Sequence, residues 1–211
     1  MSGVLQRAWG RVFAAVYDRT MAAAEREGLG ALRAELLAGA RGRVLELGAG
    51  TGVNLAHYPP GLEALLLAEP EAPMARRLRP RAAASGLPAE VLVAPAAALP
   101  VPDGSVDTVV CTLVLCTVPD VAAALAEVRR VLAPGGRLLF LEHVRHPDPR
   151  RARRQDIWNP IQRRVAHGCN VNRPTGEFIA AAGFALHDVR QEPFRKAPSV
   201  VQPLLRGSAT P

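Results

Sequence analysis

Short apolar runs alternate with segments of helical spacing along the middle of the chain. Five runs are predicted as buried strands, over residues 43–47, 63–68, 90–94, 106–115 and 137–141. Residues 71–84 are predicted as a helix, and a second helix follows Asp120, with Val121, Leu125, Val128 and Leu132 on its apolar face. Strands that alternate with helices form a parallel sheet covered on both faces, so the pattern predicts an α/β fold.

The pattern changes after residue 144. Residues 145–154 are polar and rich in arginine, and they are predicted as a boundary or loop. Helices are expected over 156–166 and 175–182, and strands over 184–190 and 204–209. An antiparallel hairpin of these last two strands would complete a seven-stranded, mostly parallel sheet.

The first 40 residues are predicted to be helical. Val4, Leu5, Trp9, Val12, Phe13 and Val16 fall at helical spacing, and a second helix runs roughly from Met21 to Leu37, loosened by Gly28 and Gly30. The first helix is interpreted as a lid or a core-packing helix, with a membrane-surface helix as the alternative. We therefore expect a helical lid over 1–40 and one domain over 41–211, with an acceptor-site insert near 145–175.

Length and charge set limits on location and partners. The chain has 211 residues, enough for one domain, and a net charge of +7 that comes almost entirely from arginine. Neither a secretory signal nor a run of roughly 20 apolar residues is evident. These features predict a cytoplasmic protein, with peripheral membrane contact as an option. The arginines between 145 and 164 are read as a solvated face, the alternative being contact with anionic lipid or nucleic acid.

The cysteines give little sign of a metal site. Cys111, Cys116 and Cys169 are odd in number and contain no C-x-x-C pair. This spacing argues against zinc and against a disulfide framework, and it fits a reducing compartment. No metal is expected from the sequence.

A glycine-rich loop follows the first predicted strand. Glycines at 48, 50 and 52 allow a sharp turn and a close approach of the backbone to a ligand. The helix predicted next would present free N–H groups at its start. Glu46 lies two residues before the first glycine, and Glu69 ends the following strand, where a carboxylate can accept both hydroxyls of a ribose.

The spacing of the loop discriminates between ligands. Its third glycine comes one residue too early for the dinucleotide pattern G-x-G-x-x-G, and the loop has no lysine for a phosphate-binding G-K-[ST]. An acid beside the loop would repel a pyrophosphate but suits the ammonium of an amino acid. The predicted cofactor is S-adenosylmethionine (SAM), with S-adenosylhomocysteine as product.

Several motifs resemble those of the class I SAM-dependent methyltransferases. The chain is most similar to the thiol S-methyltransferases of the methyltransferase-like, membrane-associated group, which carry a methyltransferase type 11 domain. The resemblance rests on Tyr17-Asp18, LELGAGTGVNLAHYPPG (45–61), DGSVDTVVCTLVLCTV (103–118), EVRRVLAPGG (127–136), LEHV (141–144), GCN (168–170) and VQPLL (201–205). It implies a Rossmann-like class I methyltransferase fold.

The resemblance also implies roles for individual residues. The methionine end of SAM would be surrounded by the loop, by the exit of the fourth strand and by the N-terminal lid; these residues are Glu46, Gly48, Ala49, Gly50, Gly52, Asn54, Thr112, Leu113 and Tyr17. Glu69 would hold the ribose. The adenine would lie against Pro70 and Met74 and meet the backbone of Ala96 and Ala97. Pro95 departs from the family pattern, since many members carry there an acid that binds the adenine amino group.

The methyl acceptor is less well defined. His143 is the candidate general base, with a structural histidine as the equal alternative, and Glu142 is similarly ambiguous. Cys116 is a candidate for the acceptor pocket, although inert packing is more common for such a residue. Further candidates come from the C-terminal insert, where a loop-stabilising network is the alternative: Trp158, Asn170 and Arg173, together with His167 and Cys169.

The preferred function is methylation of a small, fairly apolar acceptor such as a thiol, which needs little help to ionise. The alternatives are a lipid or quinone methyltransferase and a SAM-binding module without catalysis. Nucleic acid is not the expected partner, because residues 111–114 lack an Asn/Asp-Pro-Pro-aromatic motif and aromatic residues are few.

Overall fold

A computed structural model describes residues 18–166 and 168–211, and these residues form one seven-stranded sheet. Its strands are β1 (Arg43–Leu47), β2 (Ala64–Ala68), β3 (Ala89–Leu92), β4 (Val106–Thr112), β5 (Leu132–His143), β6 (Ala185–Glu192) and β7 (Leu204–Thr210). The spatial order is β3-β2-β1-β4-β5-β7-β6, and β7 alone runs antiparallel to its two neighbours. The predicted parallel sheet with an antiparallel C-terminal hairpin is confirmed.

Helices cover both faces of the sheet. They are α1 (Gly30–Leu37), α2 (Ala72–Ala84), α3 (Val121–Val131), α4 (Pro149–Val165) and α5 (Thr175–Ala181). Residues 18–24 are also helical, and a π-helical turn over Glu25–Leu29 joins them to α1. Gly28 adopts φ +141° in this turn, so the predicted loosening of the second helix is confirmed there.

Two apolar cores form because successive strand side chains point to opposite faces of the sheet. On one face Val44, Leu65 and Leu141 pack with Leu37 of α1 and Leu78 of α2. On the other face Leu45, Val109, Phe140, Leu125 of α3 and Ile179 of α5 pack together. All ten of these side chains are fully buried, and each such burial stabilises the fold by about 1.5–3 kcal/mol.

The loop predicted over 145–154 is wrong for its second half, because α4 begins at Pro149. Asp148 caps the helix, accepting a hydrogen bond from the Arg151 N–H at 2.9 Å. Proline is well suited to the first helical position, and the arginines that follow are good helix formers. The segment 145–175, predicted as an acceptor-site insert, therefore contains a helix of 17 residues.

Smaller differences concern element ends near the glycine loop. The helix expected at 54–57 is a short 3₁₀ turn, Val53–Ala56. β4 ends at Thr112, so Leu113–Leu115 form the exit of this strand, as expected for the end of the run 106–115. β5 already begins at Leu132 and includes the Pro134-Gly135-Gly136 turn.

Some predictions fall outside the described residues. The N-terminal helix, its proposed lid role and Tyr17 lie in residues 1–17, and His167 is likewise not described. Among the residues that are described, none forms a helix of the length and apolarity needed to cross a bilayer.

Candidate cofactor and acceptor site

The glycine loop lies where β1 ends, at the edge of the sheet formed by the carboxyl ends of the parallel strands. Gly48 and Gly50 have φ of +58° and +57°, a region that favours glycine. A Cβ on Gly48 would lie 2.0 Å from Cγ2 of Val114, so this glycine allows the β4 exit loop to pack against the turn. A Cβ on Gly50 would meet no described atom closer than 3.9 Å, so its Cα faces open space that a ligand could fill.

Glu69 links the glycine loop to the end of β2. Its Oε2 accepts from the Gly50 N–H at 2.8 Å and its Oε1 from the Glu71 N–H at 2.8 Å, and the side chain is buried. The next residue, Pro70, is exposed, whereas Met74 is buried on the first turn of α2. Glu69, the predicted ribose residue, therefore lies beside the loop.

The N-terminal segment also contacts the loop. Asp18 accepts a hydrogen bond from the Thr51 hydroxyl at 2.6 Å and forms an ion pair with Arg81 at 2.5 Å. These bonds bring the described start of the chain to the glycine loop. They place Asp18, the neighbour of Tyr17, next to the site in which Tyr17 is predicted to act.

A buried carboxylate lies beneath the loop. Glu46 accepts hydrogen bonds from Asn54 Nδ2 and from the Tyr58 hydroxyl, both at 2.8 Å. Asn54 Nδ2 also donates to Thr112 Oγ1 at 2.9 Å. Burial raises the pKa of Glu46 to about 7, although its hydrogen bonds to Tyr58 and Asn54 and the charge of Arg33 act in the opposite direction.

Arg33 on α1 completes this network, and the sequence analysis missed it. Its Nη1 donates to Asn54 Oδ1 at 2.8 Å and to Thr112 Oγ1 at 2.9 Å, and its Nε pairs with Glu25 at 3.1 Å. The residue is only 3% exposed. It lies on the helix stripe of Leu29, Leu36 and Leu37, and a charged residue in an apolar stripe could have revealed it. The network thus places a cation next to an anion.

The exit of β4 adopts an unusual backbone. Leu113 has φ +57°, which is rare for a residue with a Cβ and is typical of functional sites. Its N–H donates to the Leu141 carbonyl at 2.9 Å. This conformation lies where the sequence predicted contact with the methionine end of the cofactor.

The predicted adenine side is a tight turn shortly after β3. The Ala98 N–H donates to the Pro95 carbonyl at 3.1 Å, Ala96 is half-buried and Ala97 is exposed. The turn lies past the carboxyl end of its strand, as Glu69 does.

Cys116, His143 and Cys169 meet past the ends of β4 and β5, where the acceptor pocket is predicted. Their sulfur and ring-nitrogen atoms lie within 4.8 Å of one another, and Cys169 Sγ is 2.9 Å from His143 Nε2. Cys116 is 1%, His143 5% and Cys169 7% exposed. Asn170 and Arg173 hold the neighbouring backbone: the Asn170 N–H donates to the Cys116 carbonyl at 2.8 Å, and Arg173 Nη1 donates to the carbonyls of Leu115 and Val118.

Charges in this cluster influence one another. The pKa of the Cys116 thiol lies well below its usual value, because Cys169 hydrogen-bonds to it and the charge of His143 is close. Burial alone would lower the pKa of His143, but the neighbouring Cys116 thiolate raises it overall. The cluster therefore favours charge separation between sulfur and imidazole.

Glu142 acts on the backbone of the β4 exit loop. The carboxylate is fully buried and accepts the N–H groups of Val114 and Leu115 at 2.9 Å each and of Cys116 at 3.3 Å. Burial, together with the charge of Cys116, raises the pKa of Glu142 to about 8. Its oxygen atoms are thus used to fix the loop.

Trp158 is placed apart from these groups. It lies on α4 with 41% of its surface exposed, next to the exposed Ile157. Its neighbour Asn159 faces inward, accepting from the Val171 N–H at 2.9 Å. The structure brings Cys116, Glu142, Asn170 and Arg173 together, while Trp158 is on an outer face.

Comparison with known proteins relates this geometry to a family. A family model described as a methyltransferase domain matches residues 45–140. Human thiol S-methyltransferase TMT1B is 38% identical over 74% of this chain, and the match covers 66% of TMT1B, so about a third of that relative lies outside it. A demethylmenaquinone methyltransferase of Thermus thermophilus is 43% identical, over 47% of this chain and 46% of its own length.

The fold has close structural counterparts. The DhpI–SAM–HEP complex superposes with a TM-score of 0.72 at 25% identity, covering 100% of this chain and 99% of that one.

A second sequence relative shows the family. Human thiol S-methyltransferase TMT1A is 34% identical over 82% of this chain and 72% of its own length. The chain therefore belongs to the family of SAM-dependent methyltransferases that includes the thiol S-methyltransferases TMT1A and TMT1B.

Proposed function

We propose that the chain transfers a methyl group from SAM to a small, fairly apolar thiol. The observation that carries the cofactor assignment is the buried Arg33–Asn54–Glu46 network beside the glycine loop. The methionine end of SAM carries a carboxylate and an ammonium. A buried cation and a buried anion linked through one amide provide a partner for each.

The described residues fit SAM along the rest of the edge. Gly50 leaves an open space where a Cβ would stand, and Glu69 presents a buried carboxylate next to it. Thr112 and Leu113 would support the methionine moiety, and Met74 would pack against the adenine beside Pro70. Ala96 and Ala97 would contribute backbone atoms to the adenine edge. These assignments, with Gly48, Ala49, Gly52 and Tyr17, are parts of the proposal.

SAM supplies, when bound, an electrophilic methyl group on a sulfonium. The task of the chain is then to orient the acceptor and to exclude water, which is an alignment problem more than one of acid–base catalysis. Glu142 fixes the exit loop of β4 between the cofactor side and Cys116, so one rigid loop would align both partners.

A thiol fits the acceptor side better than an acceptor that must lose a tightly held proton. The unperturbed pKa of a thiol is about 8.5, so thiolate forms readily near neutral pH. Glu142 is engaged by three backbone N–H groups, and His143 Nε2 lies against Cys169. A general-base role for His143 stays a prediction of the sequence.

Two other functions compete with this proposal. The relative from Thermus thermophilus favours a quinone acceptor, although it matches less than half of the chain. Proline at position 95 has no carboxylate that could accept a hydrogen bond from the adenine amino group. This favours a SAM-binding module that does not catalyse methyl transfer.

Replacing Gly50 tests the cofactor site. In Gly50→Ala the new Cβ would enter the space assigned to SAM. The steric overlap would cost about 1–3 kcal/mol of binding free energy and so weaken SAM binding roughly tenfold to hundredfold. Gly104→Ala is the matched control, because Gly104 has the same φ of +57° and no neighbour within 4 Å of the added Cβ. Calorimetric titration with SAM would measure both; equal losses would contradict the assignment.

The pH dependence of SAM binding tests Glu46. The carboxyl has a pKa of about 7 in the folded protein, and its ionised form would attract the ammonium. Affinity should therefore rise with pH and fall about tenfold for each unit below pH 7. Without ligand the same shift acts on stability: the free energy of unfolding declines as pH rises from 4.5 towards 7. Glu46→Gln should remove the dependence of affinity and only reduce that of stability, because Glu142, with a pKa of about 8, contributes a decline over the same pH range. An unchanged affinity profile in this variant would exclude the role.

An acceptor panel with labelled SAM tests the reaction. We expect methylation of alkyl and aryl thiols, and little or none of phenols, amines or demethylated quinols. Methylation confined to quinols would favour the quinone alternative, and SAM binding without turnover on any acceptor would favour the binding module. The Gly50→Ala protein serves as the control for enzyme-dependent product.

Membrane contact is proposed through α4. Ile157, Ile161 and Val165, spaced four residues apart on one helix face, are 70%, 46% and 52% exposed, with Trp158 beside them. Arginines such as Arg150 and Arg154 precede them on the same helix. Apolar side chains next to arginines suit the surface of an anionic bilayer.

Vesicle sedimentation tests this contact. The protein should sediment with vesicles that contain phosphatidylserine, less so at high salt, and binding should fall in a double variant, Ile157→Gln with Ile161→Gln. Val93→Gln is the control, because Val93 is 55% exposed next to the opposite edge of the sheet. No binding to anionic vesicles at low salt would rule the contact out.

A further inference from the structure

Three potential metal ligands converge from distant parts of the chain. Cys116 lies in the loop after β4, His143 is the last residue of β5, and Cys169 follows α4. They are separated by more than twenty residues in sequence, yet their ligand atoms all lie within 4.8 Å of one another. The spacing of the cysteines along the sequence argued against zinc, because the usual C-x-x-C pair is missing. The fold nevertheless brings the three ligands together.

The distances suit one zinc ion. Zinc binds sulfur at about 2.3 Å and imidazole nitrogen at about 2.0–2.1 Å, so donors on a tetrahedral ion are about 3.5–3.8 Å apart. In the structure Cys169 Sγ and His143 Nε2 are 2.9 Å apart, and no two of the three ligand atoms are more than 4.8 Å apart. The separation that zinc requires lies between these two values. Two thiolates and an imidazole are also the ligand types that zinc prefers.

The surroundings hold these ligands in place. Asn170 clamps the Cys116 carbonyl with its N–H at 2.8 Å and its side-chain amide at 3.1 Å, and Gln162 Nε2 lies 3.9 Å from Cys169 Sγ. Such outer contacts usually accompany a metal site.

The buried His143 ring has its side-chain contact within the cluster, to a sulfur atom that is a weak hydrogen-bond partner. Its Nδ1 is buried without a partner among the described residues, and Nε2 contacts the Cys169 sulfur. Burying a polar ring in this way is unfavourable unless a further group binds it. A metal bound to Nε2 would hold the ring through a coordination bond in place of the weak contact with sulfur.

We propose that Cys116, His143 and Cys169 bind one zinc ion whose fourth coordination position takes the sulfur of the acceptor thiol. The thiol part rests on the proposed function; the metal part does not. Each cysteine loses its proton to solvent when the ion binds, and so does the acceptor thiol, with no change of oxidation state. His143 binds as a neutral imidazole and acts as a ligand, in place of the general base.

An open position is the feature that separates a catalytic zinc site from a structural one. Structural sites are closed by four protein ligands, whereas catalytic sites have three and leave the fourth for water or substrate. The described residues supply three, and all three lie at the carboxyl edge of the sheet, beyond the end of β4. Bound to zinc, a thiol would be held as thiolate and in a fixed position.

Metal content and ligand variants test the site. Protein purified under reducing conditions with zinc in the medium should contain about one zinc per chain. Cys116→Ala, His143→Ala and Cys169→Ala should each lose it, and Gln162→Ala should weaken zinc affinity about 10–100-fold. Cys111→Ala is the control, since Cys111 is a buried cysteine of β4 that is not part of the cluster. Wild-type protein without zinc, or zinc retained in all three ligand variants, would overturn the site.

Cobalt substitution keeps the test valid if a ligand variant fails to fold. Co²⁺ added to metal-free wild-type protein should give the absorption of a tetrahedral ion with thiolate ligands, and a small thiol should shift this spectrum where the matching alcohol does not. No thiol-dependent shift would overturn the open position. A Cys116–Cys169 disulfide found by mass spectrometry in freshly purified, metal-free protein would overturn the site itself.

The outcomes separate this inference from the proposed function. Thiol methylation by protein that is shown to contain no metal would refute the zinc site and leave the function standing. A zinc site that responds to thiols in a protein that methylates none of them would support the site and refute the function.

Discussion

One buried carboxylate controls the arrangement of both halves of the site. Glu142 accepts three successive backbone N–H groups of the loop after β4. Without this acceptor the three donors would be buried unpaired, at a cost of about 1–3 kcal/mol each. Leu113, at φ +57°, directly precedes this bonded stretch, and the bonds to Glu142 help to hold it in that conformation. The proposed cofactor side and the proposed acceptor side are thus two ends of a single fixed loop.

A second constraint is the burial of opposite charges beneath the glycine loop. Arg33 is buried with Glu46 within one network, and neither could be left alone there without a large loss of solvation. Because Asn54 bonds to both and also to Thr112, α1, β1 and β4 are tied to the same point. Arg33 also pairs with Glu25 at 3.1 Å; under the proposed function the ammonium and carboxylate of SAM would bring one further charge for each side of the network.

The sequence predicted those features that depend on neighbours along the chain. The strands, the glycine turn, Glu69 at the end of β2 and the cap Asp120 all follow from local patterns, and the structure has them. What it missed depends on partners far apart. Arg33 meets Thr112 across 79 positions, and Cys116, His143 and Cys169 come from three separate segments. The start of α4 is a different error, since a cap and a proline at 148–149 were read as a loop.

The same groups limit the choice of acceptor. A phenol, amine or carbon acceptor requires a base with an unoccupied oxygen or nitrogen in reach. Of the two titratable groups at the end of β5, Glu142 is committed to the loop, and His143 has Nε2 against Cys169 and Nδ1 buried. Freeing Glu142 would release the loop that aligns the site, so its use as a base would disrupt the geometry that catalysis needs. An acceptor that ionises readily avoids this conflict, and a thiol does so at a pKa of about 8.5, or lower beside a cation.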